Sequence, residues 1–386
     1  MQAEKNYHPA LTGIRAIAAW MVFVHHFNFF HADTFGKPVY LFFSEMHVGV
    51  TVFFVLSGLL ITLRYYDKAI DTGQSFYEYM VKRFARLFPA FFLVVSANFI
   101  WLLATHVYQN DFSGGWKYYL STLTLVRGFF ADPASVAVLS PVPQSWSLTV
   151  EECFYILCPL IFLLIRKNIR SFIFIPLMLV SIGLALTAFF THFPFHHLFG
   201  NYRFLFNFTF FGRCIEFFAG IGLALLYKNL QPLKTKGSKY TITGMAGICI
   251  CVAGLAMLHT DEHYGDYFTA GIIINNIILP AGGIAVLFWG LLTESNIISK
   301  LLSTKAFVLL GQSSYIFYLV HVGAFAIIVY THITANPILY FICLNVIALI
   351  LYLCFEKPLN IWLRKKLLKK KPVKPEHENG YHTGGN

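Results

Sequence analysis

Ten stretches of the chain are apolar for long enough to cross a bilayer, at approximately 11–31, 47–65, 84–106, 147–165, 172–191, 204–227, 241–258, 268–292, 306–331 and 335–355. A spanning helix needs about 20 mostly apolar residues, and only helices or closed barrels satisfy their own backbone hydrogen bonds in lipid. The pattern therefore predicts an all-α integral membrane protein of about ten transmembrane helices. An eleventh apolar stretch, 117–130, is short and contains Lys117 and Arg127, which places it as a re-entrant or interfacial segment. The organisation expected is one transmembrane domain over residues 1–366, then a basic, polar and disordered tail over 367–386. No internal repeat and no second soluble domain are visible.

Composition sharpens this picture. Of 386 residues 57% are hydrophobic and 12% charged, where soluble domains carry about 25% charged residues. The net charge of +11 raises nucleic acid as a partner, but the bases gather between apolar runs and at the C-terminus rather than along one face. Anionic membrane lipids and topology explain them more simply. With the N-terminus inside, Lys and Arg divide 23 inside to 4 outside, the outer ones being Lys37, Lys117, Arg127 and Arg203. This predicts cytoplasmic N- and C-termini and a multi-pass protein of a cell membrane, of the bacterial inner or plasma-membrane kind. The N-terminus has no cleaved-signal pattern. The seven cysteines all fall in apolar runs, without disulfide or metal spacing, and are expected to be buried small hydrophobes. No metal is expected.

Ionisable side chains are expensive within a span and mark candidate functional positions. Arg15 and His26 are eleven residues apart in the first span. That is close to three turns, so they share a face about 16 Å apart along the axis. His25 points roughly 80° from that face and reads as a packed histidine. Arg83 and Arg86 share a face at the cytoplasmic mouth of the third span, where two guanidinium forks suit a phosphate-rich ligand or serve as topology anchors. Arg213 and Glu216 read as an intramembrane ion pair. Glu151 lies five residues beyond Trp146, at a depth similar to His26, and could orient it as a base. His321, with Tyr315 and Tyr318, forms a polar stripe on the ninth span, read as an interhelical histidine.

Around these residues the sequence resembles the acyltransferase-3 family of membrane O-acyltransferases. LTGIRAIAAWMVFVHHF carries the family's Arg, ten residues, His signature on Arg15 and His26. VKRFARLFPAFF matches its Arg-x-x-Arg segment on Arg83 and Arg86, and WSLTVEECFYILCPL its Trp-Ser-Leu-x-x-Glu block on Trp146, Ser147 and Glu151. VGVTVFFVLSGLLIT, FGRCIEFFAGIGLAL, LGQSSYIFYLVH and FEKPLNIWLRK are similar to further blocks in the expected order, covering residues 8–366. Two departures stand out. Thr12 replaces an acidic residue of the first block, and the sequence ends without the hydrolase-like extracytoplasmic domain fused to some members. Acyl handling is therefore expected in the membrane domain or on a separate partner.

The resemblance implies transfer of an acyl group, most often acetyl from cytoplasmic acetyl-CoA, to a hydroxyl of a glycan, a lipid-linked sugar or another acceptor. Arg83 and Arg86 would hold the CoA phosphates, and Arg15 would line the pantetheine path or pair with phosphate. His26 would be the general base, assisted by Glu151, or would itself take the acyl group. Trp146, Ser147, Arg213, Glu216, Tyr315 and His321 are expected to shape the substrate site or its support. Homo-oligomers or envelope-assembly partners are compatible with this picture. The rival readings are a transporter or exporter of a glycan or lipid-linked sugar, and an inactive scaffold in a glycan-assembly complex. Against transport, neither an inverted repeat nor paired interrupted spans are visible.

Overall fold

The computed structural model describes residues 7–68, 70, 72–109, 111–131 and 140–368; the expected basic tail lies almost wholly outside them. The fold is all-α. Its principal helices are α1 (Pro9–His26), α2 (Lys37–Tyr65), α3 (Gly73–Ala104), α4 (Phe112–Leu123), α5 (Pro143–Lys167), α6 (Ser171–His192), α7 (Tyr202–Leu230), α8 (Lys239–Leu258), α9 (Thr269–Thr293), α10 (Lys305–Val320), α11 (Ala324–Ile333) and α12 (Pro337–Leu367). Among the described residues eight of these are long and apolar enough to cross a membrane, and the α10–α11 pair would make a ninth. The chain is a multi-pass membrane protein. The remaining expected span is α1, which is long enough at 18 residues but carries Arg15, His25 and His26.

Burial separates core helices from lipid-facing ones. The most apolar stretch of α2 is 83% buried, whereas those of α6 and α12 are only 22% and 17% buried. Ile173, Phe174 and Leu177 on α6 and Ile338 and Ile342 on α12 are exposed, as expected where lipid replaces the core. Cys249 and Cys354 are also exposed, so the expectation of uniformly buried cysteines holds for Cys158, Cys214 and Cys251 but not for these two. A cysteine is apolar enough to face acyl chains. The short 117–130 stretch forms α4 and a 3-10 turn, and is not among the spans.

α1 is packed against α2 and α10, which positions its Arg15–His26 face. The α1–α10 crossing is tight. A Cβ on Gly311 would lie 1.9 Å from the Thr12 carbonyl oxygen, so only glycine allows this backbone approach. α7 is interrupted at Thr209, whose backbone is extended (φ −113°, ψ 153°). α9 contains a π-helical stretch, Ile274–Ile284, around Pro280, which cannot donate a backbone hydrogen bond. Two strands of two residues, Thr235–Lys236 and Glu294–Ser295, pair in parallel, and the Glu294 carboxylate accepts from the Tyr240 and Thr241 amides at the start of α8.

The ninth span, expected as one helix over 306–331, is instead broken. α10 and α11 meet at 88°. The cause is local: Gly323 has φ +97°, a conformation that residues with a Cβ rarely adopt. The freed Ala324 amide donates to Asn98 Oδ1 at 2.6 Å, so α3 satisfies the backbone that the break exposes. His321 caps the C-terminal end of α10 at this corner.

Candidate functional site

The break sets His321 against His26. Its Nε2 lies 3.3 Å from His26 Nδ1, and its Nδ1 lies 2.7 Å from the Tyr318 carbonyl. His26 Nδ1 is also 2.9 Å from the Val22 carbonyl. Carbonyl oxygens only accept, so in the neutral rings both Nδ1 atoms carry the proton. The His321 Nε2 lone pair then faces the His26 Nδ1–H. His26 Nε2 is left as a free lone pair on an exposed residue. An imidazole held this way, with one nitrogen bonded and the other free, can take up a proton at Nε2.

The partner is not the expected one. Glu151 Oε1 accepts from Ser57 Oγ at 2.6 Å, and among the described residues no hydrogen bond joins it to His26. Similar depth along two helices did not bring the two side chains together, because α5 turns Glu151 toward α2 and into an internal cleft. That cleft, of about 60 Å³, is lined by Arg15, Arg83, Arg86, Ser147, Glu151, Tyr155, Tyr315 and Tyr318 among others. It shares Arg15, Leu60, Ile61, Arg83 and Arg86 with a wider cavity of about 840 Å³. This cavity opens at the end of the molecule away from His26, between Arg64, Lys68 and Lys357. Thr12, in place of the family's acid, lines its wall, as does Glu356.

Arg83 is 6% exposed and donates from Nη2 to the Tyr65 hydroxyl at 3.2 Å. Its guanidinium lies over the rings of Tyr65, Tyr79 and Tyr155 at 5.4–5.9 Å. Buried Nε atoms of Arg15 and Arg83 have no hydrogen-bond partner. Buried donors are normally satisfied, so unpaired guanidinium donors beside a cavity make an anion-binding surface. Arg15, Arg83 and Arg86, which the sequence reading assigns together, line the same cavity.

The cleft and the histidine pair are stitched together at the start of α5. Ser147 Oγ is 2.7 Å from the Tyr318 hydroxyl, and Gln144 Nε2 donates to the Tyr318 and Leu319 carbonyls at 3.2 and 3.1 Å. Tyr315 donates to the Leu87 carbonyl at 3.0 Å, tying α10 to the helix that carries Arg83 and Arg86. Arg213 and Glu216 form the expected buried pair at 2.6 Å, with Arg213 also donating to Thr51 Oγ1 and the Asn207 carbonyl. The Arg213 guanidinium sits 5.7 Å from the Trp146 ring, which meets Phe208 edge-on at 5.0 Å. These residues hold the Trp146 corner in place.

His25 leaves the Arg15–His26 face, as helical geometry requires. Its Nδ1 donates to the Ser44 carbonyl at 2.6 Å, and its ring packs on His47 and Tyr264. His47 in turn lies 3.1 Å from Asp266. Asp266 sits between α8 and α9; burial raises its carboxyl pKa, but the adjacent His47 outweighs this and leaves it below the usual value. Sequence reasoning missed Ser57, Tyr65, Asn98, Gln144, His47, Asp266 and Glu356. Ser57 and Asn98 were detectable as polar residues inside apolar runs, and Glu356 as an acid directly after one; the roles of the others depend on contacts between distant elements. Among the described residues no group of His, Cys, Asp and Glu is arranged to hold a metal ion.

A family model described as an acyltransferase domain matches residues 8–357. The chain belongs to the acyltransferase-3 family. It is 26% identical over 380 residues to a putative peptidoglycan O-acetyltransferase of Bacillus subtilis, covering 92% of this chain and 55% of that protein. It is 24% identical over 334 residues to a peptidoglycan O-acetyltransferase of Listeria monocytogenes, covering 82% and 49%. A putative O-acetyltransferase of Staphylococcus aureus is 25% identical over 357 residues, covering 85% and 52%. The chain thus spans about half the length of these acyltransferase-3 relatives. No solved structure matches it.

Proposed function

We propose that this protein moves an acyl group, most simply acetyl, from cytoplasmic acyl-CoA to a hydroxyl of a cell-envelope glycan, with His26 as general base. The observation that carries this reading is the His26–His321 pair, linked through Tyr318 and Ser147 to a cavity that presents Arg15, Arg83 and Arg86. The relatives' names, which specify O-acetyl transfer and in two cases peptidoglycan, support the acceptor class.

The residues fit a CoA donor. The wide cavity carries five basic residues, Arg15, Arg64, Lys68, Arg83 and Arg86, and Lys357 at its rim; the unpaired Nε donors of Arg15 and Arg83 suit phosphate oxygens. When bound, acyl-CoA supplies an activated thioester carbonyl. His26 Nε2 takes the proton of the acceptor hydroxyl as that oxygen bonds to the thioester carbonyl carbon. The C–S bond then breaks, and the CoA sulfur leaves as the thiol with the proton His26 held. His321 Nε2 accepts from His26 Nδ1 and stabilises the imidazolium while it holds that proton. The Tyr318 carbonyl holds His321 in the tautomer that can do this.

The test is acetyl transfer by the protein reconstituted in vesicles, with labelled acetyl-CoA and envelope glycan on opposite faces. Wild type transfers label. His26→Ala loses about 10²–10⁴-fold in rate while still binding CoA. Reconstituted protein that never labels glycan, with CoA binding intact, would refute acyl transfer as its activity.

A further inference from the structure

A second cavity, of about 540 Å³, lies at the His26 end of the molecule and plays no part in the chemistry above. Its walls come from the turn after α4 that holds Arg127, Gly128, Phe130 and Ala131, from the start of α5 and the first turns of α7, and from Tyr267 in the connection before α9. Trp146, Phe204, Phe208 and Tyr267 supply aromatic surface, and Arg203 and Asn207 supply polar groups. Arg203 is held in place: its guanidinium lies 3.9 Å from the Tyr267 ring centroid and Nη1 donates to the Tyr267 hydroxyl at 2.8 Å. Its other donors are left for a ligand.

Asn207 gives an independent sign of a ligand. It is only 7% exposed, and its Nδ2 donates to the Asp266 carbonyl at 3.1 Å. Its buried Oδ1 has no partner, and the residue lines the cavity. A buried acceptor left unpaired is costly, and a hydroxyl donor entering the cavity would satisfy it. Aromatic faces, a fixed guanidinium donor and a buried amide acceptor together suit a molecule with apolar C–H faces and a rim of hydroxyls.

The cavity is joined to the base. Trp146 forms its wall, and the neighbouring Gln144 and Ser147 hold Tyr318, whose carbonyl orients His321 on His26. We infer that the cavity between Trp146, Arg203, Phe204, Asn207, Phe208 and Tyr267 is a saccharide site that delivers the acceptor sugar to His26. The delivery rests on the acyl-transfer reading; the binding of sugar does not.

The experiment measures sugar binding directly, by saturation-transfer NMR on the full chain in nanodiscs. The probes are the trisaccharides of glucose and of N-acetylglucosamine, both β-1,4 linked. Wild type binds at least one of them. Arg203→Ala, which alters an exposed side chain, and Phe204→Ala weaken binding by about tenfold or more. Tyr267→Phe, which removes only the hydroxyl that Arg203 donates to, weakens it less, and all variants keep the wild-type melting temperature within a few degrees. No binding of either sugar to wild type, or undiminished binding in both Arg203→Ala and Phe204→Ala, overturns the proposal. Sugar binding in this cavity without any acetyl transfer sustains the site and removes the acyl-transfer reading. Acetyl transfer whose acceptor KM is untouched by both variants does the reverse.

Discussion

His321 Nε2 stands 3.3 Å from His26 Nδ1, and the contact exists because the helix carrying His321 ends there. A continuous ninth span would send the chain onward past His26. The 88° corner at Gly323 instead turns it aside, leaving a buried imidazole whose lone pair can only meet the His26 Nδ1 proton.

That geometry makes His321 a positioning residue. His321→Ala should lower kcat by at least about tenfold, since the hydrogen bond to a developing imidazolium is charge-assisted, while leaving the KM for acyl-CoA near its wild-type value. His321→Gln, whose amide oxygen can accept from His26, should restore part of the loss, and the kcat–pH profile should move in the Ala variant. Equal kcat in wild type and His321→Ala would show that His26 needs no such partner.

Glu151 should behave differently from a residue that orients the base. It lies beside Arg15, Arg83 and Arg86 and accepts from Ser57. Glu151→Gln keeps the shape and removes a charge from this cationic cleft, so the KM for acyl-CoA should change more than kcat, and more strongly at low salt. Ser57→Ala should shift the same parameter in smaller measure. A pure kcat defect in Glu151→Gln, with acyl-CoA affinity unchanged, would return Glu151 to the side of His26.

The contrast between these residues shows what was legible in the sequence. Helical periodicity placed Arg15 and His26 on one face and Arg83 and Arg86 on another, because each pair lies on a single helix whose geometry is fixed. The Arg213–Glu216 pair was readable for the same reason. The partner of His26 was not, since Glu151 and His321 both come from other helices and depth along an axis does not determine rotation about it. The break at Gly323 also escaped notice: the run 306–331 stays apolar through the corner, and a glycine in a membrane helix is common. Only the Asn98 side chain, from a distant span, shows that the backbone opens there.

Arg83 offers a graded test of anion binding. Tyr65 donates no charge but receives the Arg83 Nη2–H at 3.2 Å. Arg83→Ala should weaken CoA binding by roughly tenfold or more, the worth of a charge-assisted hydrogen bond of about 1.5–3 kcal/mol. Arg83→Lys should recover only part of it, lacking the planar fork, and Tyr65→Phe should fall between wild type and Arg83→Lys. Isothermal titration with CoA reads all three. Unchanged affinity in Arg83→Ala would leave the residue as a topology anchor.

The orientation rests on the charge split and is checked separately. Reporter fusions at Lys236 should register as cytoplasmic and at Gly114 as external. The reverse pattern would put the wide basic cavity on the outer face and remove its access to cytoplasmic CoA.

The broken ninth span makes the last prediction. Gly323 adopts φ +97°, and a Cβ there would lie 2.7 Å from Asn98 Oδ1. Gly323→Ala therefore meets two obstacles, a disfavoured backbone conformation costing about 1–3 kcal/mol and a clash with the side chain that receives the Ala324 amide. The corner can relieve both by straightening, which would carry His321 away from His26. Melting temperature should fall by several degrees, and kcat should fall further than the fraction of unfolded protein explains. Asn98→Ala removes the acceptor but not the glycine, so it leaves the Ala324 amide unpaired at about 1–3 kcal/mol without forcing the backbone to move. It should lower stability comparably and retain more activity. If Gly323→Ala kept full kcat at temperatures where it is folded, the corner would be a packing feature, and the placement of His321 would not depend on it.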